Sequence, residues 1–125
     1  MKKAIFLFVM ILVTVLVGCG NKYFHFSGES DSWKGEYSAN IDGTREDGEF
    51  VFGFKNANKD STFKNLVIVI NEGETEQRSD NHKGATVKIS SSCSGCTVTS
   101  ENEQIKVTIK WDDENEETFF LKQDK

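Results

Sequence analysis

Apolar residues recur at every second position through most of this chain, and that alternation constrains the fold more than any other feature. Trp33, Gly35, Tyr37, Ala39 and Ile41 are separated by polar or charged residues. The same spacing of two recurs in Phe50, Phe52 and Phe54, in Val87 and Ile89, in Ile105, Val107, Ile109 and Trp111, and in Phe119 and Leu121. A period of two places one face of a strand against a core and the other in water, whereas an amphipathic helix needs apolar residues at i, i+3, i+4 and i+7. No stretch of about a dozen residues in the alternating region has that helical spacing. Leu66-Val67-Ile68-Val69-Ile70 is a continuous apolar, mostly β-branched run, which reads as a strand covered on both faces.

Turn chemistry separates the runs. Asp42-Gly43, Glu46-Asp47-Gly48, residues 55–60, Asn71-Glu72-Gly73, Asn81-His82-Lys83-Gly84, Ser94-Gly95 and residues 112–115 are all rich in Gly, Asn, Asp or Ser. About seven to eight short strands, with turns every 8–12 residues, predict an all-β fold. The expected architecture is an antiparallel β-sandwich, immunoglobulin-like or similar, with a small barrel as the neighbouring solution. Its clearest unit is a closing hairpin, Ile105–Trp111 followed by a turn over 112–117 and a return over 118–122. The chain has no proline, so charges and bulges must protect its edge strands.

The total of 125 residues is room for one domain. Twenty acidic residues against fifteen basic ones leave a formal charge of −5. A nucleic-acid partner is excluded on that ground, because a phosphate backbone requires a basic face. Two histidines leave little material for a metal or acid–base centre.

One segment departs from the alternation. Met1-Lys2-Lys3 is a short basic start, residues 4–17 are apolar apart from Thr14, and Gly18-Cys19 follow. A helix needs about 20 apolar residues to span a bilayer, so this run is too short for a permanent anchor and has the form of a secretory signal. Leu16-Val17-Gly18-Cys19 resembles the lipobox of bacterial lipoproteins. The resemblance implies that Cys19 receives a diacylglycerol, that a signal peptidase cuts between Gly18 and Cys19, and that Cys19 becomes the new N-terminus. The division expected is 1–18 signal peptide, 19–31 lipidated N-terminus and tether, and 32–125 all-β domain. Within the tether, Phe24 and Phe26 stand two apart and fit the start of a first strand. Cleavage would remove Lys2 and Lys3 and no acid, so the anchored domain would be repelled by an anionic membrane and held by lipid alone.

Phe26-Ser27-Gly28-Glu29-Ser30 with Trp33, Lys34 and Tyr37, and the closing Ile-x-Val-x-Ile-x-Trp with Phe119 and Leu121, resemble a group of small lipoproteins of Gram-positive bacteria. That resemblance implies location and fold, and carries no catalytic residue with it.

Cys93-Ser94-Gly95-Cys96 is the constellation richest in chemistry. A redox pair would need its first cysteine at a helix N-terminus, but strands are expected on both sides. Zinc would need two more ligands, and neither His25 nor His82 has ligand spacing. With Ser94-Gly95 at the centre of a hairpin turn, Cys93 and Cys96 would face each other within about 7 Å, close enough for a disulfide. A structural disulfide is therefore the favoured reading, with free thiols, metal ligation and a redox pair as alternatives. The acidic stretch 42–49 fails calcium-loop spacing, since position 6 counted from Asp42 is Asp47 and not glycine. It and the acids at 112–117 read as hydrated turns. Serines lack a glycine-framed nucleophile elbow. Trp33, Tyr37 and Trp111 fit the core by their place in the alternation, although exposed rings of this kind would make a platform for glycans or proteins.

These readings converge on a membrane-anchored, extracytoplasmic lipoprotein acting as a non-enzymatic binding or interaction module of the cell envelope. Its partners would be membrane lipid through acylated Cys19 and an envelope protein or glycan, with no cofactor. The alternatives are an envelope-acting hydrolase or thiol enzyme using Cys93 and Cys96, or a lipoprotein that captures a small ligand or metal.

Overall fold

The computed structural model describes residues 22–95, 97–100 and 102–123. Eight antiparallel strands account for most of them: β1 Lys22–Glu29, β2 Trp33–Asp42, β3 Arg45–Phe54, β4 Thr62–Ile70, β5 Thr75–Lys83, β6 Thr86–Ser94, β7 Ile105–Trp111 and β8 Asn115–Gln123. They form one sheet in the order β5-β4-β7-β8-β1-β2-β3-β6. The all-β expectation of seven to eight strands holds. In place of the two facing sheets of a sandwich, however, β8 pairs with β1 through Phe26↔Gln123 and Ser27↔Lys122, making the sheet continuous.

That strand order dictates the shape. The sheet's two edges, β5 and β6, are consecutive in sequence and joined only by Gly84 and Ala85. So short a link spans about 10 Å at most. The sheet must therefore curl until its edges meet at that link, and the result is a nearly closed barrel. Closure is how an antiparallel sheet with the usual strand twist disposes of exposed edges.

The alternation read from the sequence supplies the inward face. Twenty apolar residues are buried, and among the described residues no polar or charged residue joins them. Trp33, Tyr37, Ala39 and Ile41 come from β2, Phe50 and Phe52 from β3, and Ile105, Val107, Ile109 and Trp111 from β7. Burial of each large side chain contributes about 1.5–3 kcal/mol. One end of the barrel is closed by rings: the Trp33 centroid lies 5.1 Å from Phe54, 5.5 Å from Phe63 and 5.7 Å from Trp111, in edge-on and tilted contacts. Such geometry suits the quadrupoles of aromatic rings. Trp33 and Trp111 are thus core residues, and with the buried Tyr37 they form no surface platform.

Several local features differ from expectation. Leu66, Ile68 and Ile70 are buried while Val67 and Val69 are only half-buried, so β4 has one covered face and not two. Within β4, Phe63 and Leu66 both point inward although they are three apart, because Asn65 takes a left-handed φ of 49° and shifts the alternation. Strand β5 carries no buried residue; its sequence TEQRSDNHK has no apolar alternation to reveal it, and its charges guard the edge. The last hairpin turns over residues 112–114, and β8 already starts at Asn115. Phe24 and Phe26 do belong to a first strand, as their spacing suggested: β1 takes up residues 22–29 of the segment read as tether and places both rings in the core.

Candidate functional site

The pole of the barrel opposite the aromatic plug gathers the start of β1, the β2–β3 turn, the end of β4, the end of β6 and segment 97–100. Its polar centre comes from β3, where Glu46, Gly48, Phe50 and Phe52 alternate on the inward face. Glu46 is the last inward residue before the rim. The Tyr37 ring stacks on Phe50 with centroids 4.2 Å apart and lies across Gly48, where a Cβ would overlap it. Its hydroxyl donates a short hydrogen bond to Glu46 Oε2. Burial raises the Tyr37 pKa far above the ordinary phenol range, and the Glu46 carboxylate adds to the effect. Tyr37 is therefore a fixed proton donor.

Glu46 also holds the segment that follows the cysteines. Its Oε1 accepts the Thr99 backbone N–H at 2.6 Å, and its Oε2 accepts the Thr99 hydroxyl at 2.9 Å. This clamp lays Val98 and Thr99 over the rim. A groove of about 480 Å³ results, with Phe24, Ile41 and Val98 as its apolar part and Lys22, Thr99 and Ser100 as its polar part. Behind the clamp, Tyr37, Glu46, Glu74 and Ser91 line a small cavity of about 60 Å³.

A second trough, also about 480 Å³, lies on the outer face of β1, β2, β3 and β6. Its floor is made of Ser38, Asn40, Glu49 and the serines of β6, with Asp47 at the centre and Tyr23 at the side. Asp47 accepts from Arg45 Nε at 2.9 Å, Arg45 Nη2 at 3.3 Å and Ser92 Oγ at 2.6 Å. The Arg45 and Ser92 hydrogen bonds hold its carboxyl below the usual carboxylate range. The acids of residues 42–49 thus part company: Glu46 faces inward, whereas Asp47 and Glu49 face outward into the trough.

At the plugged pole, Glu117 of β8 binds the β1–β2 turn. Its Oε1 accepts from Ser30 Oγ at 2.5 Å and Ser32 N at 2.9 Å, and its Oε2 accepts from Ser32 Oγ at 2.7 Å. Burial pushes the Glu117 carboxyl up, but these hydrogen bonds and the Lys55 charge outweigh it and leave its pKa lowered. Asp112 and Asp113 are likewise used structurally, accepting from Lys64 N at 2.9 Å and Asn65 Nδ2 at 2.8 Å.

Cys93 lies near the end of β6 and is disulfide-bonded. Cys96, Gly18 and Cys19 lie outside the described residues. The expected strand after the cysteines does not form over residues 97–100, so strands do not flank the motif on both sides. His25 is on β1, 3.9 Å from Glu36 Oε2, and the His82 ring meets Thr86 O at 2.9 Å, far from forming a centre together. Among the described residues no three His, Cys, Asp or Glu side chains are placed to hold a metal ion.

The Tyr37–Glu46–Thr99 clamp was not anticipated, although its signal was present: a glutamate two positions before the inward Gly48 and four before Phe50 falls on the core side of the alternation. Comparison with protein-family models, with curated proteins and with solved structures found no match.

Proposed function

We propose that this protein is a lipid-anchored lipoprotein of the extracytoplasmic membrane face whose barrel is a non-enzymatic binding module of the cell envelope. The observation that carries the reading is Leu16-Val17-Gly18-Cys19 standing directly behind a dibasic start and a short apolar run. Two features of the fold support it. β1 starts at Lys22, three residues beyond Cys19, so an acylated Cys19 would keep the open pole within about 10 Å of the lipid surface. The disulfide at Cys93 suits an oxidising compartment. The open pole and the outer trough offer recessed surface, and the carboxylates there are engaged in fixed hydrogen bonds that shape it.

The test is metabolic labelling with a palmitate analogue, combined with fractionation of intact cells producing wild type or Cys19→Ala. Wild type is expected in the membrane fraction and labelled, and the variant unlabelled, retained as a larger precursor or released. A variant that fractionates, labels and migrates as wild type does would overturn the anchored reading. Surface crosslinking of the wild type then identifies what the barrel binds.

A further inference from the structure

The geometry points to the outer trough over β1, β2, β3 and β6 as a binding site for a neutral oligosaccharide. The inference deepens the binding-module reading and rests on it. Register places two rows of side chains across the face. Tyr23 stands opposite Asn40, Asn40 opposite Asp47, and Asp47 opposite Ser92; beside them Ser38 stands opposite Glu49, and Glu49 opposite Ser90. Short side chains at Ser38 and Asn40 on β2 and at Ser90 and Ser92 on β6 make a depression where the neighbouring positions on those strands, Glu36 and Lys88, are longer. Depth on a sheet's outer face comes here from side-chain length.

Three properties of the trough select the ligand. Tyr23 is 62% exposed at its side, one of two large aromatic side chains left in solvent on the described surface. An uncovered ring with a polar tip is suited to stack on the C–H face of a pyranose while its hydroxyl bonds to water or sugar. The floor mixes amide, hydroxyl and carboxylate groups, which between them donate to and accept from vicinal hydroxyls. Asp47 is held ready by Arg45 and Ser92, so its carboxylate need not be ordered on binding. Charge then narrows the class. Among the described residues two carboxylates line the trough and no Lys or Arg does, while the nearby Arg45 guanidinium is already engaged by Asp47. Polyanions such as phosphate-linked or sulfated chains are disfavoured, and a neutral hexose or N-acetylhexosamine chain fits.

The test is an amide-shift NMR titration of the full-length protein in neutral detergent, using chitotetraose and cellotetraose as probes and dextran sulfate as the anionic control. A neutral tetrasaccharide is expected to shift amides of β2, β3 and β6 around Asn40, Asp47 and Ser90. Tyr23→Ala is expected to weaken that binding about tenfold. Phe120→Ala, which removes the other exposed ring from β8, should leave it unchanged. Absence of shifts with both neutral probes at about 10 mM, shifts that survive Tyr23→Ala, or stronger binding of dextran sulfate would each overturn the inference. Because none of these results alters labelling at Cys19, loss of the saccharide site and loss of the anchored reading are told apart.

Discussion

The Tyr37 ring crosses the barrel wall over Gly48, at a spot where any side chain on residue 48 would occupy the same space. This close approach lets the hydroxyl reach Glu46, two residues further along the same strand, and so ties the aromatic core to the rim. Gly48→Ala forces the ring or the strand to move and is expected to destabilise the fold by about 1–3 kcal/mol. Chemical denaturation measures this, and the cost should largely vanish in a Tyr37→Ala background, where nothing remains to clash. An unchanged midpoint for Gly48→Ala in the wild-type background would refute the contact.

The same phenol makes stability depend on alkaline pH. Its pKa is raised in the folded protein, through burial first and Glu46 second, above the unfolded value of 10.0. The folded state therefore keeps a proton that the unfolded chain loses, and stability is intact below pH 10 and falls as pH rises beyond it. Tyr37→Phe should lower stability at neutral pH by about 1–3 kcal/mol, by depriving Glu46 of a donor, and should flatten the alkaline decline. Urea melts of both proteins across that range decide it. Parallel slopes for the two would mean that Tyr37 titrates as a free phenol.

Glu117 gives the opposite sign at the other pole. Its pKa is lowered in the fold, so its contribution is present above the unfolded value of 4.5 and is lost as pH falls through the folded value. Glu117→Gln keeps the shape, weakens three acceptor bonds from Ser30 and Ser32, and is expected to cost about 1–3 kcal/mol at pH 7. The variant's acid limb should also be shallower than the wild type's. Thermal melts between neutral and acid pH would show an unaltered limb if the carboxylate were merely solvated.

How much of this was legible in the sequence depended on whether a residue's role is local. Trp33, Tyr37, Phe52 and Val107 announce their burial by a period of two, because a strand's faces alternate whatever it packs against. β5 carries no such signal, since it is an edge strand whose residues are exposed or only half-buried and whose alternating Glu76, Arg78 and Asp80 are charged. The choice between sandwich and barrel was equally out of reach. It turns on β8 meeting β1, a pairing between residues more than ninety positions apart that leaves no mark on either strand. Glu117 illustrates the limit for side chains: it reads as one more acid in an acidic turn, and only the fold brings Ser30 and Ser32 to it.

The β1–β8 joint is the point on which closure depends, and Gly28 permits it. A Cβ on Gly28 would run into the carbonyl of Phe120, which is backbone and cannot swing aside as a flexible side chain would. Gly28→Ala should therefore push β8 away from β1 and open the barrel along that line, where pairing of Phe26 with Gln123 and Ser27 with Lys122 now holds it shut. The expected cost is about 3 kcal/mol, at the upper end for overpacking because backbone must move. A specific consequence separates this from general destabilisation. Amide hydrogen exchange should speed up first in β1 and β8, while the β2–β3 and β4–β5 ladders keep their protection until global unfolding. Uniform loss of protection across all eight strands would show that the joint is no weaker than the rest of the sheet.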